Sequence, residues 1–174
     1  NLLLCENLPE VSKVFKNYLL QNCPPAYIEY INSHLGLVET IISRMVPPVP
    51  PSISSQDPLF LMAEEYNKLF VDRNAFIGEV PDIKGLVPVK NFTAYQKQKL
   101  YNYNTGHAVC AYVGYQKGYR YIWEAIRDKK VKQIVRGAMM ETGKALVKKY
   151  YFKINEQKKF IDEFLLRLDN PSLG

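Results

Sequence analysis

Apolar residues form short unbroken runs in the first half of the chain and fall at helical spacing in the second. Leu2–Cys5 is a continuous apolar run too short for a helix, which predicts a buried strand. Pro9 then suits the start of a helix reaching about Gln21, with Val11, Val14, Phe15, Tyr18 and Leu19 on one face. Pro24 and Pro25 break it, and a second helix over about residues 25–34 ends at Gly36, a suitable left-handed terminator. Leu37–Met45 is apolar and β-branched and predicts another strand. The run from Pro47 through Pro51 to Ser55 predicts a stiff loop without helix. Residues 59–71 predict strand, with helix as the competing reading over Ala63–Lys68. Gly78, Pro81, Gly85 and Pro88 mark a turn-rich excursion.

From about Phe92 the period changes. Helices are predicted over about 92–117, 121–127, 129–151 and 155–168, punctuated by Gly118, Asp128 and Asn155. The first half thus reads as α/β and the second as all-helical, with a domain boundary near residue 90: 1–90, then 91–174.

Composition narrows the class. With 174 residues and 47% apolar content the chain can bury a real core. Its apolar runs are far too short for a transmembrane helix, so no membrane partner is expected. The first residues lack the basic start and cleavage site of a signal peptide. The chain begins without Met and stops just after a helical pattern, which reads as a piece cut from a larger protein. Three widely spaced cysteines (Cys5, Cys23, Cys110) argue against a disulfide framework and fit a reducing cytoplasm. Two histidines and no close cysteine pair argue against zinc chemistry, and no metal is expected.

The net charge of +6 gathers in the second half, at residues such as Lys129, Lys130, Lys132, Lys144, Lys148 and Lys149. A basic helical module binding nucleic acid would use such a face, with exposed aromatics for stacking. Here the lysines leave an apolar stripe opposite them, and Tyr112, Tyr115, Tyr119 and Trp123 are spaced like core and interface residues. A solvated helix face is the better reading, and no nucleic-acid partner is expected. Nothing in the sequence fixes the oligomeric state, and a monomer is compatible with it.

The chemistry concentrates in Lys99-Leu-Tyr-Asn-Tyr-Asn104-Thr-Gly-His107. An amine, a carboxamide and an imidazole lie there in an otherwise apolar, tyrosine-rich helical pattern. On a regular helix Lys99 and His107 lie about 80° apart, with Asn104 about 60° beyond His107. One face can therefore present all three. Burial by Tyr95, Leu100 and Tyr103 would lower the lysine pKa toward that of a useful base. Taken singly, His107 could be a core histidine bonded to a backbone carbonyl, and Asn104-Thr-Gly106 a simple kink. The combination favours a site that binds a hydroxyl and takes its proton.

Lys99-x4-Asn104-x2-His107 followed by Ala-Val-Cys-Ala-Tyr-Val-Gly114 resembles the signature helix of the polyol-specific long-chain dehydrogenases. Cys5-Glu6-Asn7, Arg44-Met-Val-Pro47-Pro48, the stretch Phe76–Asn91 and Gly137-Ala-Met-Met-Glu141 agree in order, so the resemblance covers nearly the whole chain. It implies the α/β tail of a Rossmann-type domain followed by a mostly α-helical substrate domain, and NAD as cofactor. It implies hydride transfer between mannitol 1-phosphate and fructose 6-phosphate, with a hexuronate reductase or a dehydrogenase of free mannitol as alternatives. On that pattern Lys99 is the general base, Asn104 and Asn7 donate to the developing alkoxide, and His107 holds substrate or lysine. Asn7, Arg44, Val46 and Pro47 are the implied cofactor contacts. Two departures stand out. Ser43 occupies a position where the family usually has Asp, and no Gly-x-Gly-x-x-Gly turn occurs among the nine glycines. The pyrophosphate cradle is therefore expected outside this chain, which by itself should bind NAD weakly and turn nothing over.

Overall fold

A computed structural model describes residues 1–173, with the side chain of Leu173 excepted. The chain divides into two compact units. One holds Asn1–Arg44 and Asn67–Tyr95, the other Met45–Tyr66 and the chain from Gln96 on.

The first unit is built on a four-stranded sheet in the order β1 (Leu2–Leu4), β2 (Leu37–Ile41), β3 (Leu69–Asp72) and β4 (Leu86–Val89). β1 and β2 are parallel, pairing Leu2 with Leu37 and Leu4 with Glu39. The crossover between them carries α1 (Val11–Asn22), a short 3-10 turn and α2 (Ile28–His34). β3 runs antiparallel to β2, and β4 runs parallel to β3. Leu4 and Leu37 pack with Val11 of α1 on one face, while Val38, Val71 and Phe76 form a cluster on the other. Burial on both faces explains why β2 reads as a mainly apolar run, with Leu37, Val38 and Ile41 all buried.

Glu39 is the exception in that run. Its carboxylate accepts from Ser12 N at 3.1 Å and from Ser12 Oγ at 2.6 Å. The residue preceding α1, Glu10, is left-handed (φ 56°) and supplies no side-chain cap, so the carboxylate from β2 meets the unsatisfied N–H end of the helix instead.

Several elements differ from the sequence pattern. β2 stops at Ile41 rather than Met45. In α1 the apolar face narrows to Val11, Phe15 and Leu19, whereas Val14 and Tyr18 face solvent. The proline run contains a single helical turn, α3 (Pro51–Ser54), because Pro51 at a first helical position loses no hydrogen bond. Residues 59–68 are not strand; Leu59 and Leu61 are 87% and 80% exposed, so their apolar character does not mark burial. The turn-rich excursion hides β4. Pro88 is tolerated there because β4 ends the strand order and needs no N–H on its outer side.

The second unit is helical, and the chain enters it inside α4 (Phe92–Gln98). A single π turn (Lys99–Tyr103) comes next, then α5 (Asn104–Gln116), α6 (Ile122–Arg127), α7 (Lys129–Tyr150) and α8 (Ile154–Leu168). Val131, Val135 and Met139 of α7 meet Cys110 of α5, Ile126 of α6 and Ile161, Phe164 and Leu168 of α8 in one core. Asp128 caps α7, accepting from Lys130 N at 2.7 Å and Val131 N at 3.2 Å. The lysines of α7 and α8 are exposed, as a solvated face requires. Tyr112 and Tyr115 are exposed too, 72% and 82%, and so are not the core positions their spacing suggests. Gly106 does not kink α5. A Cβ there would lie 2.4 Å from Phe164 Cε1 and 2.7 Å from Met139 Sδ, so the glycine lets α5 pack closely against α7 and α8. No described helix is long and apolar enough to cross a membrane.

Candidate functional site

The helix carrying Lys99, Asn104 and His107 is not a continuous α-helix. Asn104 N–H bonds to Lys99 O, an i to i−5 contact that closes the π turn. Such a turn adds about one residue, so the residues beyond it fall about 100° behind a regular count. Recounted, Asn104 lies about 40° to one side of Lys99 and His107 about 20° to the other. The three residues share an arc of about 60° instead of the about 140° expected of an unbroken helix. The irregularity that the sequence pattern assigns to Gly106 therefore sits one turn earlier, and it tightens the cluster.

Exposure grades along this arc. Asn104 is exposed, while Lys99 and His107 are partly buried. Burial pushes the Lys99 amine below the ordinary lysine value of 10.5. Burial also lowers the imidazole of His107 below its usual 6.5, against an opposing hydrogen bond to the Tyr103 backbone. The charges of Arg167 and Lys99 push it the same way as burial, and Glu64 pushes back. The ring of His107 lies edge-on to Tyr103 and Phe164, with centroids 4.7 Å and 4.9 Å away. It also lines a cavity of about 100 Å³ with Met45, Ile122, Trp123, Leu168 and Asn170. His107 is thus both packed and cavity-facing.

A neutral, partly buried imidazole has a consequence for stability. As pH falls through 6.5 the unfolded chain takes up a proton there before the folded chain does, so stability drops. The loss levels off only below the folded value. His107→Phe is expected to be less acid-sensitive than the parent across that window, read as the urea midpoint at about pH 7.5 and about pH 5.

Behind His107 stands a charged cluster. Arg167 Nε donates to Glu64 Oε2 at 3.0 Å, and Arg167 Nη2 reaches both Glu64 Oε1 and, at 3.3 Å, Tyr103 Oη. Its guanidinium carbon lies 4.1 Å from the ring centre of Tyr66. Burial works against the Arg167 charge, but the Glu64 hydrogen bond and the surrounding charges outweigh it and raise the pKa. Glu64 Oε1 also accepts from Met45 N at 2.7 Å. Through Glu64 the loop beginning Met45-Val46-Pro47 is tied to α8 and to the ring of Tyr103, one turn before His107. Val46 is exposed on that loop and Pro47 is buried. Pro47, Glu64, Tyr66 and Arg167 line a second, open cavity of about 840 Å³.

Asn7 and Arg44 belong to the first unit, and both are exposed. Asn7 lies just past the end of β1, and Ser43-Arg44 just past the end of β2. The two strands are parallel, so these residues share the C-terminal edge, where open α/β sheets take ligands.

Sequence reasoning misses three parts: the Glu64–Arg167 pair, the π turn and Asn102. The pair is separated by 103 residues and leaves no local signal. Asn102 is visible as a polar residue inside an apolar pattern, and it is fully buried.

Comparison with known proteins covers both units. The family model of the mannitol dehydrogenase Rossmann domain matches residues 1–85, and that of the mannitol dehydrogenase C-terminal domain matches residues 91–174. Proteins named mannitol-1-phosphate 5-dehydrogenase from Buchnera aphidicola subsp. Acyrthosiphon pisum, strains Tuc7 and APS, are 39% identical over 174 residues. That alignment takes in 100% of this chain and 44% of each relative, so the chain spans less than half their length. Among solved structures, a D-sorbitol dehydrogenase in substrate-free form matches 98% of this chain and 37% of its own, with a TM-score of 0.76 and 19% identity. The Pseudomonas fluorescens mannitol 2-dehydrogenase in ternary complex with NAD and D-mannitol gives 0.70 at 19% identity, with the same coverage. At that identity the likeness is one of fold.

Proposed function

The chain belongs to the mannitol dehydrogenase family, and from that premise we propose that it serves an NAD-dependent dehydrogenase interconverting mannitol 1-phosphate and fructose 6-phosphate. The reading rests on the π turn that gathers Lys99, Asn104 and His107 onto one arc. The phosphorylated substrate is taken from the names of the 39%-identical relatives.

On this reading Lys99, as the neutral amine, takes the proton of the substrate hydroxyl. Its partly apolar surroundings disfavour the ammonium form and so make the amine available at lower pH. The exposed carboxamide of Asn104 donates a hydrogen bond to the oxygen as negative charge grows on it. His107, fixed by its own contacts, orients the substrate hydroxyls or the lysine. NAD would supply the hydride acceptor. In the first unit the residues offered to it are Asn7 and Arg44. One carries amide donors and the other a permanent positive charge, and both lie at the sheet edge suited to a nucleotide. That donor set fits the polar carboxamide end of a nicotinamide and its phosphates. The glycine-rich turn that cradles a pyrophosphate does not occur in this sequence.

The test is NADH oxidation by the intact protein with fructose 6-phosphate, fructose and tagaturonate. A phosphate held by charge-assisted hydrogen bonds should favour fructose 6-phosphate by about 10–100-fold in kcat/KM. Equal rates with fructose would overturn the phosphate assignment, and preference for tagaturonate would make the protein a hexuronate reductase.

A further inference from the structure

Asn102 lies inside the π turn, between Lys99 and Asn104, with no exposed surface. Its Nδ2 donates to Met139 O on α7 at 2.8 Å, a contact between residues 37 apart in sequence. Its Oδ1 has no hydrogen-bond partner among the described residues. Gln157 of α8 is 1% exposed beside it. Gln157 Oε1 accepts from Gln98 Nε2 at 2.8 Å, and Gln157 Nε2 also lacks a partner among the described residues.

The carboxamides of Asn102 and Gln157 meet over Gly143. A Cβ built there would stand 3.0 Å from Gln157 Cγ and 3.2 Å from Asn102 Nδ2. α7 thus gives up a side chain at Gly143 to admit two buried amides. Both grip the site helix, Asn102 within the π turn and Gln157 through Gln98, the residue just before Lys99.

A leucine would fill the space of Asn102 and leave no orphaned oxygen in the core. What a leucine lacks is the donor to Met139 O. A π turn forfeits the regular i to i−4 bonds over its length and persists where something outside the helix holds it. We propose that Asn102 is a positioning residue for the proton transfer: its clamp on Met139 O, seated over Gly143 and Gln157, holds the π turn that brings Lys99 onto the arc of His107.

The inference rests on the reading of Lys99 as the base, and the two can fail separately. In the intact protein, Asn102→Leu is expected to lower kcat by about 10–100-fold, as a misplaced catalytic group does. KM for the polyol should move less than about threefold. The pH limb of polyol oxidation should shift, because the amine leaves its partly buried seat. Gly143→Ala, a change on α7 that pushes on both carboxamides and leaves every residue of the site helix in place, should act in the same direction more weakly. Acetylation of Lys99 by acetic anhydride as a function of pH, followed by mass spectrometry, reads the same displacement without turnover.

Lys99→Ala serves as the control. If it is inert while folded Asn102→Leu keeps the parent kcat, pH limb and acetylation profile, the positioning inference fails and the base assignment stands. If Lys99→Ala turns over normally, both fall. Loss of the fold in both Asn102→Leu and Gly143→Ala would make Asn102 a structural residue and overturn the proposal.

Discussion

Lys99→Ala in the intact protein is expected to reduce kcat for polyol oxidation by roughly 10²–10⁴-fold, the range lost with a positioned general base. Folding should be unaffected, because Lys99 is only partly buried and lies outside the α5–α8 core. KM should change little, since the amine acts on a proton in flight more than on the bound ground state. The direction of the pH dependence follows from burial. With its pKa pushed below 10.5, the amine loses its proton at lower pH than an ordinary lysine, and oxidation should rise with pH and level off at lower pH than an ordinary lysine would give. Ketone reduction needs the ammonium form and should fall over the same interval. Lys99→Arg should not restore activity, because a guanidinium keeps its proton at any working pH. Steady-state kinetics in both directions across pH, with circular dichroism as the folding control, checks all of this. Near-normal turnover in Lys99→Ala would remove the residue from the mechanism.

Parts of this site are legible in the sequence because they depend on short-range spacing. Lys99, Asn104 and His107 stand out as polar residues in an apolar helical pattern. α7 and α8 declare themselves through the period of Val131, Val135 and Met139 and of Ile161, Phe164, Leu165 and Leu168. β1 and most of β2 read correctly because both are mainly apolar runs too short for a helix. The errors fall where one residue type serves two ends. Proline opens α3 at Pro51 and sits in β4 at Pro88, and in both places the sequence pattern reads it as a breaker. The leucines at 59 and 61 resemble a strand but are exposed, on a loop held by Glu64.

The π turn is illegible for a different reason. A side chain and a carbonyl 37 residues apart hold it, and a helical wheel assumes that no such tie exists. The same physics separates the nominal from the actual role of Gly106. Its weakening of the helix is local and readable, whereas its function is to let Phe164 and Met139 approach. Long-range ties therefore set the angle at which a readable motif is presented, and with it the chemistry the motif can perform.

The Glu64–Arg167 pair should be the costliest polar interaction to break in the second unit. Its side chains are only 6% and 16% exposed, so each charge relies on the other and on nearby dipoles rather than on water. Glu64→Ala takes the carboxylate away from the Arg167 guanidinium in that setting, and it also strips the Met45 amide of its acceptor. Removal of one member of a buried pair costs about 3–5 kcal/mol. Arg167→Met should cost a similar amount, because it removes the cation from a Glu64 carboxylate that is only 6% exposed. The double variant Glu64→Leu with Arg167→Met removes both charges, so neither has to be buried alone. Its loss should be well below the sum of the singles, leaving a coupling of several kcal/mol that far exceeds the ~0.2–1 kcal/mol of an exposed pair. Urea unfolding of the four proteins gives that cycle directly. Singles that each cost less than about 1 kcal/mol would mean that water reaches the pair and that it behaves as a surface bridge. Activity offers a second reading of the same variants. Glu64 ties the Met45–Pro47 loop to Arg167, and Arg167 holds the hydroxyl of Tyr103 one turn from His107. A double variant that regains stability should therefore still be slow, since restoring the core does not restore those two tethers.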